Sequence, residues 1–412
     1  MDNLIFISAQ PDQVYFHWQV ELYLYQFSKL GIQDRCYAVF GYTDDEPSKY
    51  IVELSKKYNI VWYKDERDFS KKNHYIPSIR PHILKKFFKD RPDLGKNVFY
   101  HDSDIFLVRL PKFELLLEDS HAYVSDTISY IGYDYIKECS KRYKDKYPEL
   151  QDEDIFKKMC QCIDVSEDLI KSNQENSGGC QYLLKNIDSK FWLNVENDCV
   201  KLYNMLKTYE EKYPIDNHIQ SWTTDMWCVL WNYLKIGRTV KVHSELNFSW
   251  ATSNISDYYS NPIFHLAGVT DEISNDKFYK GKYINKNIFR EYTNNKNIFD
   301  HISPYNATYE YVNIIKEYVD KQPKEICDKF LLKTLDNWNG LYIKDQSTIH
   351  FGKPVWRSEK YIIFYNSNSW ILTSLQYESE ISEKCGGFGS NCLDEPYQNG
   401  WNFKCSTEII NI

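Results

Sequence analysis

Two aspartates one residue apart, Asp102 and Asp104, stand between two apolar runs in Asn97-Val98-Phe99-Tyr100-His101-Asp102-Ser103-Asp104-Ile105-Phe106-Leu107-Val108. The first run, rich in Val, Phe and Tyr, has the character of a buried strand. Residues i and i+2 of a strand point to the same side. A bend at the strand's end therefore turns both carboxylates towards one spot outside the sheet. Two carboxylates in apolar surroundings are costly unless something cationic lies between them. A divalent ion of the Mg or Mn type suits them, because hard cations prefer carboxylate oxygen and often bridge phosphates. A polar hairpin turn is the bland alternative. A second such triplet, Asp152-Glu153-Asp154, lies in a polar run with no strand before it and reads as a solvated helix start.

Three later stretches carry further candidates. In Asn176-Ser177-Gly178-Gly179-Cys180-Gln181, the two glycines before an apolar strand let backbone come close to a ligand, and Gln181 adds a polar handle. An ordinary glycine turn would look the same. Asp225 opens a helix behind Thr223 and Thr224, where a threonine caps and a carboxylate suits the helix dipole. His265 lies among apolar residues, the usual setting of a satisfied core histidine, and Lys280 and Lys282 follow it.

A scaffold must bring these groups together. Leu4–Ser8, Cys36–Gly41 and Ile60–Tyr63 read as strands, and Val14–Leu30, Pro47–Tyr58 and Ser78–Phe88 as helices. Pro81 falls in a first turn, where its missing N–H does no harm. This alternation predicts an α/β fold, a mainly parallel sheet with helices on both faces. Ligands of such sheets sit outside the carboxyl ends of the strands, which adds Ser8 and Gln10 to the candidates. Residues 130–172 read as a charged, solvated helical insertion without chemistry. From Trp338-Asn339 through Trp370-Leu372, short aromatic runs at hairpin spacing predict a small C-terminal all-β module, with turns at Gly386–Gly389 and Asn399-Gly400-Trp401. The glycines at 386–389 are no phosphate loop, since no Lys-Ser/Thr or helix follows.

The strand-borne Asp-x-Asp resembles the metal-binding motif of nucleotide-sugar glycosyltransferases with the GT-A (Rossmann-like) fold. Trp18-Gln19, then Ser78-Ile79-Arg80-Pro81, then the Asp-x-Asp strand is similar to plant peptidyl-hydroxyproline arabinosyltransferases and peptidyl-serine galactosyltransferases, over about the first 110 residues. The glycine stretch resembles the Asn-x-Gly segment of glycogenin-like enzymes, where donor and acceptor sugars meet. His265-x-x-Gly268 followed by Lys280-Gly281 resembles the end of a GT-A catalytic domain, where the histidine is a third metal ligand and a lysine reaches the diphosphate. The resemblance implies a metal set of Asp102, Asp104 and His265 holding Mn2+ or Mg2+. It implies a donor site for a nucleotide-diphosphate sugar, UDP-sugar first, drawn from Ser8, Gln10, Arg80, Asp102, Ser103, Gly178, Gly179, Gln181, Lys280 and Lys282. Asp225 would be the base or would hold the acceptor, a hydroxyl of a glycan or protein. Domains are expected at 1–290 (catalytic), 291–335 (helical connector) and 336–412 (β-module). A nucleotidyltransferase with a two-aspartate metal site and a non-catalytic glycan-binding or structural protein remain as rivals.

Composition narrows the partners. The 412-residue chain carries 58 acidic and 50 basic residues, a formal charge of −8, with no basic block, which argues against nucleic acid. Its wealth of Tyr, Asn, Lys and Ile fits the codon bias of an AT-rich genome, such as that of a large DNA virus. Met1–Ile7 lacks a basic n-region, and no apolar run reaches the roughly 18–20 residues of a membrane span, so a cytoplasmic location is expected. This departs from anchored Golgi enzymes. The 11 cysteines include no Cys-x-x-Cys pair, so neither a zinc site nor a disulfide framework is expected, although Cys385, Cys392 and Cys405 leave room for one bridge.

Overall fold

The computed structural model describes residues 3–68, 75–322, 329–333, 340–350, 353–365, 370–375, 388–390 and 408–411. Trp338-Asn339, Gly386-Gly387, Asn399-Gly400-Trp401 and the three C-terminal cysteines lie outside them. The chain forms two compact units, Met1–Lys321 and Gln322–Ile412.

The first unit is built on β1 (Leu4–Pro11), every residue of which is buried. It lies between β2 (Cys36–Tyr42) and β4 (Asn97–Tyr100), parallel to both, and β2 pairs in parallel with β3 (Asn59–Lys64). Beyond β4 the sheet continues, in spatial order, with β7 (Gly178–Lys185), β6 (Ala122–Asp126) and β8 (Val240–Val242). The β4–β7 and β7–β6 pairs are antiparallel. The seven-stranded sheet is thus mainly parallel, as expected.

Strand alternation divides the core between two faces. Leu4 and Phe6 of β1 join the cluster packed under α1 (Val14–Lys29), with Trp18, Leu22, Tyr23 and Phe27. Ile5 and Ile7 join the opposite cluster, under α3 (Ile79–Asp90) with Ile83, Leu84 and Phe87. Helix Ser189–Lys212 lies on α3, where Trp192 stacks on Phe88 (6.3 Å between centroids) and meets Tyr100 edge-on.

A separate three-stranded sheet stands at the carboxyl end of β4. It comprises β5 (Ile105–Leu107), β9 (Phe248–Trp250) and β10 (Ile263–His265), with β10 in the middle. Its register sets His265 against Ile105.

Two expectations are corrected. Residues 130–172 are helical, but they are not a solvated insertion. Ile136, Cys139 and Tyr143, then Phe156, Met159 and Ile163, bury one face in the main core, and the charges occupy the other. Nor are residues 291–321 a connector. Helix Thr308–Lys321 packs against α1, with Tyr311 and Ile315 fully buried, and belongs to the first unit. The second helix start, by contrast, is as read: Asp154 caps helix Ile155–Ile163 by accepting from the N–H groups of Phe156 and Lys157.

The second unit is all antiparallel. Its described strands, in spatial order, are β16 (Phe388–Ser390), β15 (Trp370–Ser374), β14 (Tyr361–Tyr365), β13 (Lys353–Arg357), β12 (Gly340–His350), β11 (Lys329–Lys333) and β17 (Glu408–Asn411). Val355, Ile362, Phe364 and Ile371 form its apolar cluster.

Trp192 is fully buried between α3 and the β4 face. Trp192→Ala should cost about 3–5 kcal/mol of stability, read as a lowered denaturant midpoint at unchanged slope.

Candidate active site

β4 ends at Tyr100, and the chain turns out of the sheet before β5 begins at Ile105. The turn holds both aspartates. His101, at its start, points inward among Tyr23, Phe27 and Phe99, and burial pushes its pKa down to about 4. Asp102 and Asp104 face a cavity of about 260 Å³ together with Ser103, Arg80, Asp225, His265 and Lys280. Residues from five separate parts of the chain meet here.

Each is placed by a different element. Arg80 lies in the first turn of α3, with Nη1 2.8 Å from Asp102 Oδ1 and 3.1 Å from Asp225 Oδ2. Asp225 lies in the first turn of helix Thr224–Lys235. Its Oδ1 is 2.8 Å from the Tyr75 hydroxyl, which accepts the Asp225 N–H at 3.0 Å. The β5–β10 pairing and a bond from the Leu266 N–H to the Asp104 carbonyl hold His265 beside the turn. His265 Nε2 is 3.5 Å from Asp102 Oδ2 and 3.4 Å from Asp104 Oδ1. Its ring stacks on Trp250. The Lys280 ammonium donates to Asp104 Oδ2.

The charges balance. Three carboxylates (Asp102, Asp104 and Asp225) face Arg80, Lys280 and an imidazole held as a cation. Burial opposes that cation, yet the Asp104 carboxylate wins and lifts the His265 pKa to about 10. Burial likewise opposes the Asp104 anion, but Lys280 and His265 hold its pKa far below the ordinary range. For Asp225 burial wins: its pKa is raised although Arg80 pulls the other way.

The donor set suits a divalent ion. Carboxylates from a single turn converge with an imidazole, and His265 Nδ1 is buried with no hydrogen-bond partner among the described residues. An ion bound by Asp102, Asp104 and His265 would take the proton's place on His265. It would also free Lys280 from Asp104, and Arg80 from Asp102, to meet an anionic ligand.

Several sequence candidates fall outside the cavity. Ser8 and Gln10 share the α1 face of β1 with Leu4 and Phe6. Ser8 Oγ is 2.7 Å from the Tyr23 hydroxyl, and Gln10 Nε2 donates to the Val39 carbonyl at 2.9 Å. Gln181 alternates with the cavity residues Cys180 and Tyr182, so it faces the other way and accepts from Ser125 Oγ. Lys282 donates to Ser274 Oγ. Gly178 and Gly179 begin β7 at close quarters: a Cβ on Gly178 would lie 2.3 Å from the Ser125 carbonyl oxygen. Gly178 thus lets β7 pack on β6, whereas a Cβ on Gly179 would meet the cavity-lining side chains of Tyr182 and Met226, at 2.5 and 2.9 Å.

Tyr75, Tyr130, Cys180, Trp222 and Trp250 went unremarked as site residues. Trp222 lines the mouth of the cavity and is 61% exposed, and its carbonyl lies 2.8 Å from the Tyr75 hydroxyl. Only Cys180 had a signal, its place between the glycines and an apolar strand. A more open depression of about 530 Å³, lined by Asp126, Ser129, Asn247, Phe248 and Asn261, shares Trp250 with the first.

No family model matches the chain. No curated protein matches it. Solved structures do show similarity. One is the galactosyltransferase LgtC in complex with donor and acceptor sugar analogues, at 12% identity over 64% of this chain and 87% of that one, TM-score 0.32. Another is the glycosyltransferase GlyE of Streptococcus pneumoniae TIGR4, at 10% identity over 77% and 64%, TM-score 0.35. A third is core-mannan synthase A of Aspergillus fumigatus in its Mn/GDP form, at 10% identity over 59% and 73%, TM-score 0.27. At this level of identity and overlap, none of them bears on what this chain binds.

The His265 shift has a pH signature. A histidine whose folded pKa is raised stabilises the fold fully below its ordinary value near 6.5 and loses that contribution as pH climbs towards 10. The metal-free protein should therefore lose stability between about pH 6.5 and 10. NMR of the His265 ring protons should show titration near the upper end, and Asp104→Asn should move it towards neutrality.

Proposed function

We propose that the chain is a metal-dependent glycosyltransferase that takes a nucleotide-diphosphate sugar, a UDP-sugar first, and passes the sugar to a hydroxyl of a glycan or protein. The observation that carries this reading is the convergence of Asp102, Asp104 and His265 with Lys280 and Arg80 in one cavity at the carboxyl end of β4. Acidic and imidazole donors adjoin two cations, an arrangement that suits a divalent ion and a diphosphate together.

A bound Mn2+ or Mg2+ supplies neutralisation of the diphosphate as it becomes the leaving group. The chain's own groups supply the rest. Lys280, held by Asp104, would offer its ammonium to the diphosphate. Arg80 keeps Asp225 in place and offers its guanidinium to the diphosphate. Ser103, between the aspartates and nearly buried, adds a short donor. Asp225 is the acceptor-side carboxylate: its raised pKa makes it a better proton acceptor than an exposed aspartate, and Tyr75 fixes its orientation. Trp222 and Trp250 give apolar faces on which a sugar ring can lie.

The test is thermal unfolding with UDP, GDP and their sugars, with and without Mn2+. One nucleoside diphosphate should stabilise the parent only with metal, by about 2.7 kcal/mol at a hundredfold excess over Kd. Asp102→Ala and Asp104→Ala should abolish that gain. Equal stabilisation of parent and both variants would place the nucleotide elsewhere. Turnover of a sugar nucleotide that released pyrophosphate, rather than a nucleoside diphosphate, would reassign the chain to nucleotidyl transfer.

A further inference from the structure

A thiol stands beside the carboxylates, and the mechanism above makes no use of it. One oxygen of Asp102, Cys180 Sγ and a ring nitrogen of His265 all lie within 4.8 Å of one another. The sheet puts them there. Tyr100, the last residue of β4, pairs with Tyr182 of β7 in antiparallel register, so the turn that holds Asp102 leaves the sheet beside the start of β7, where Cys180 lies. Cys180 and Tyr182 both line the cavity, while Gln181 turns away from it to accept from Ser125 Oγ. Besides the cluster, the Sγ meets the Tyr130 hydroxyl at 3.3 Å and Met226 Sδ at 3.8 Å, neither of them charged. His265 is 5% exposed, and its Nδ1 has no partner among the described residues, so this buried imidazole retains an unused donor site.

We propose that Cys180 is a ligand of this centre, and that Asp102, Cys180 and His265 together take a thiophilic divalent ion of the zinc class. The inference rests on reading the cluster as a metal centre, and it adds a ligand that Mg2+ and Mn2+ leave unused. Those ions favour oxygen, whereas zinc takes thiolate, imidazole and carboxylate in one shell, at about 2.3, 2.0–2.1 and 2.0–2.2 Å respectively. Two protons leave to solvent as the ion binds, one from the Cys180 thiol and one from the His265 imidazolium. Zinc also stands above manganese in intrinsic affinity for a given set of donors, and the thiolate widens the gap. Because both ions need Asp102 and His265, a zinc-class ion excludes the Mn2+-type occupant. Cys180 thus sets the metal preference of the cavity.

Co2+, a spectroscopic stand-in for zinc, tests this on the full chain freed of metal by a chelator. A thiolate-to-cobalt charge-transfer absorption should appear at one equivalent and be bleached by Zn2+. Cys180→Ser and Cys180→Gly should both lose it. The glycine variant guards against misfolding, because Cys180 has a φ of +68°, a conformation glycine adopts freely. In both variants the ratio of Zn2+ to Mn2+ affinity should fall at least tenfold, about 1.4 kcal/mol. Absence of the band in the parent, its survival in both variants, or an unchanged affinity ratio overturns the proposal. A Cys180-dependent band in a protein that no nucleotide stabilises would uphold the ligand and sink the glycosyltransferase reading. Metal-dependent nucleotide binding without the band would do the reverse.

Discussion

Two carboxylates on one turn at the end of a buried strand repel each other, and the low polarisability around them magnifies the repulsion. A third, Asp225, lies within reach of the same guanidinium as Asp102. Left alone, such a group would take up protons or force the turn open. The rest of the first unit supplies the compensation. α3 presents Arg80 in its first turn, β10 is zipped to β5 so that His265 cannot move away, and the segment after β10 brings back Lys280. The small three-stranded sheet holds the exit of β4 and the histidine in register, while Phe106 and Phe264 anchor it in the core.

The two kinds of carboxylate in the cavity are driven apart. Asp104 is buried, yet its cationic neighbours keep it ionised. Asp225 is also buried, but burial outweighs the single guanidinium it shares with Asp102. Groups whose environments push their proton affinities in opposite directions can serve different tasks in one reaction. Here one holds cations and the other is able to receive a proton.

Much of this was legible in the sequence because it is local. The alternation of strand and helix, the clamped Asp-x-Asp, and the singular residues Arg80, Asp225, His265 and Lys280 all stand out within a few residues of context. What was not legible depends on register. Ser8, Gln10 and Gln181 lie on strands that end near the cavity, but their side chains face away from it. Period-two alternation says that neighbours diverge; it does not say which of them meets the ligand. The charged appearance of residues 130–172 concealed a buried face of Ile136, Tyr143 and Phe156, because a helix with one polar side averages to a hydrophilic composition. Tyr75 left no trace at all, since its partner Asp225 lies 150 residues away.

The ion pair of Asp104 with Lys280 joins residues separated by 176 positions. A contact of that span closes a very long loop, and its entropic cost must be met before any contact energy is returned. The ring of Trp18 in α1 packs on Phe278 and Tyr283, flanking Lys280, so the closing segment is moored to one of the first helices made. On the ribosome, the β4 turn emerges after Arg80, the partner of Asp102, but Asp104 waits for Lys280 until more than half of the chain has been synthesised. The cavity is therefore among the last parts of the first unit to mature, and a chain stopped short of residue 280 carries its acidic turn without the lysine that neutralises it.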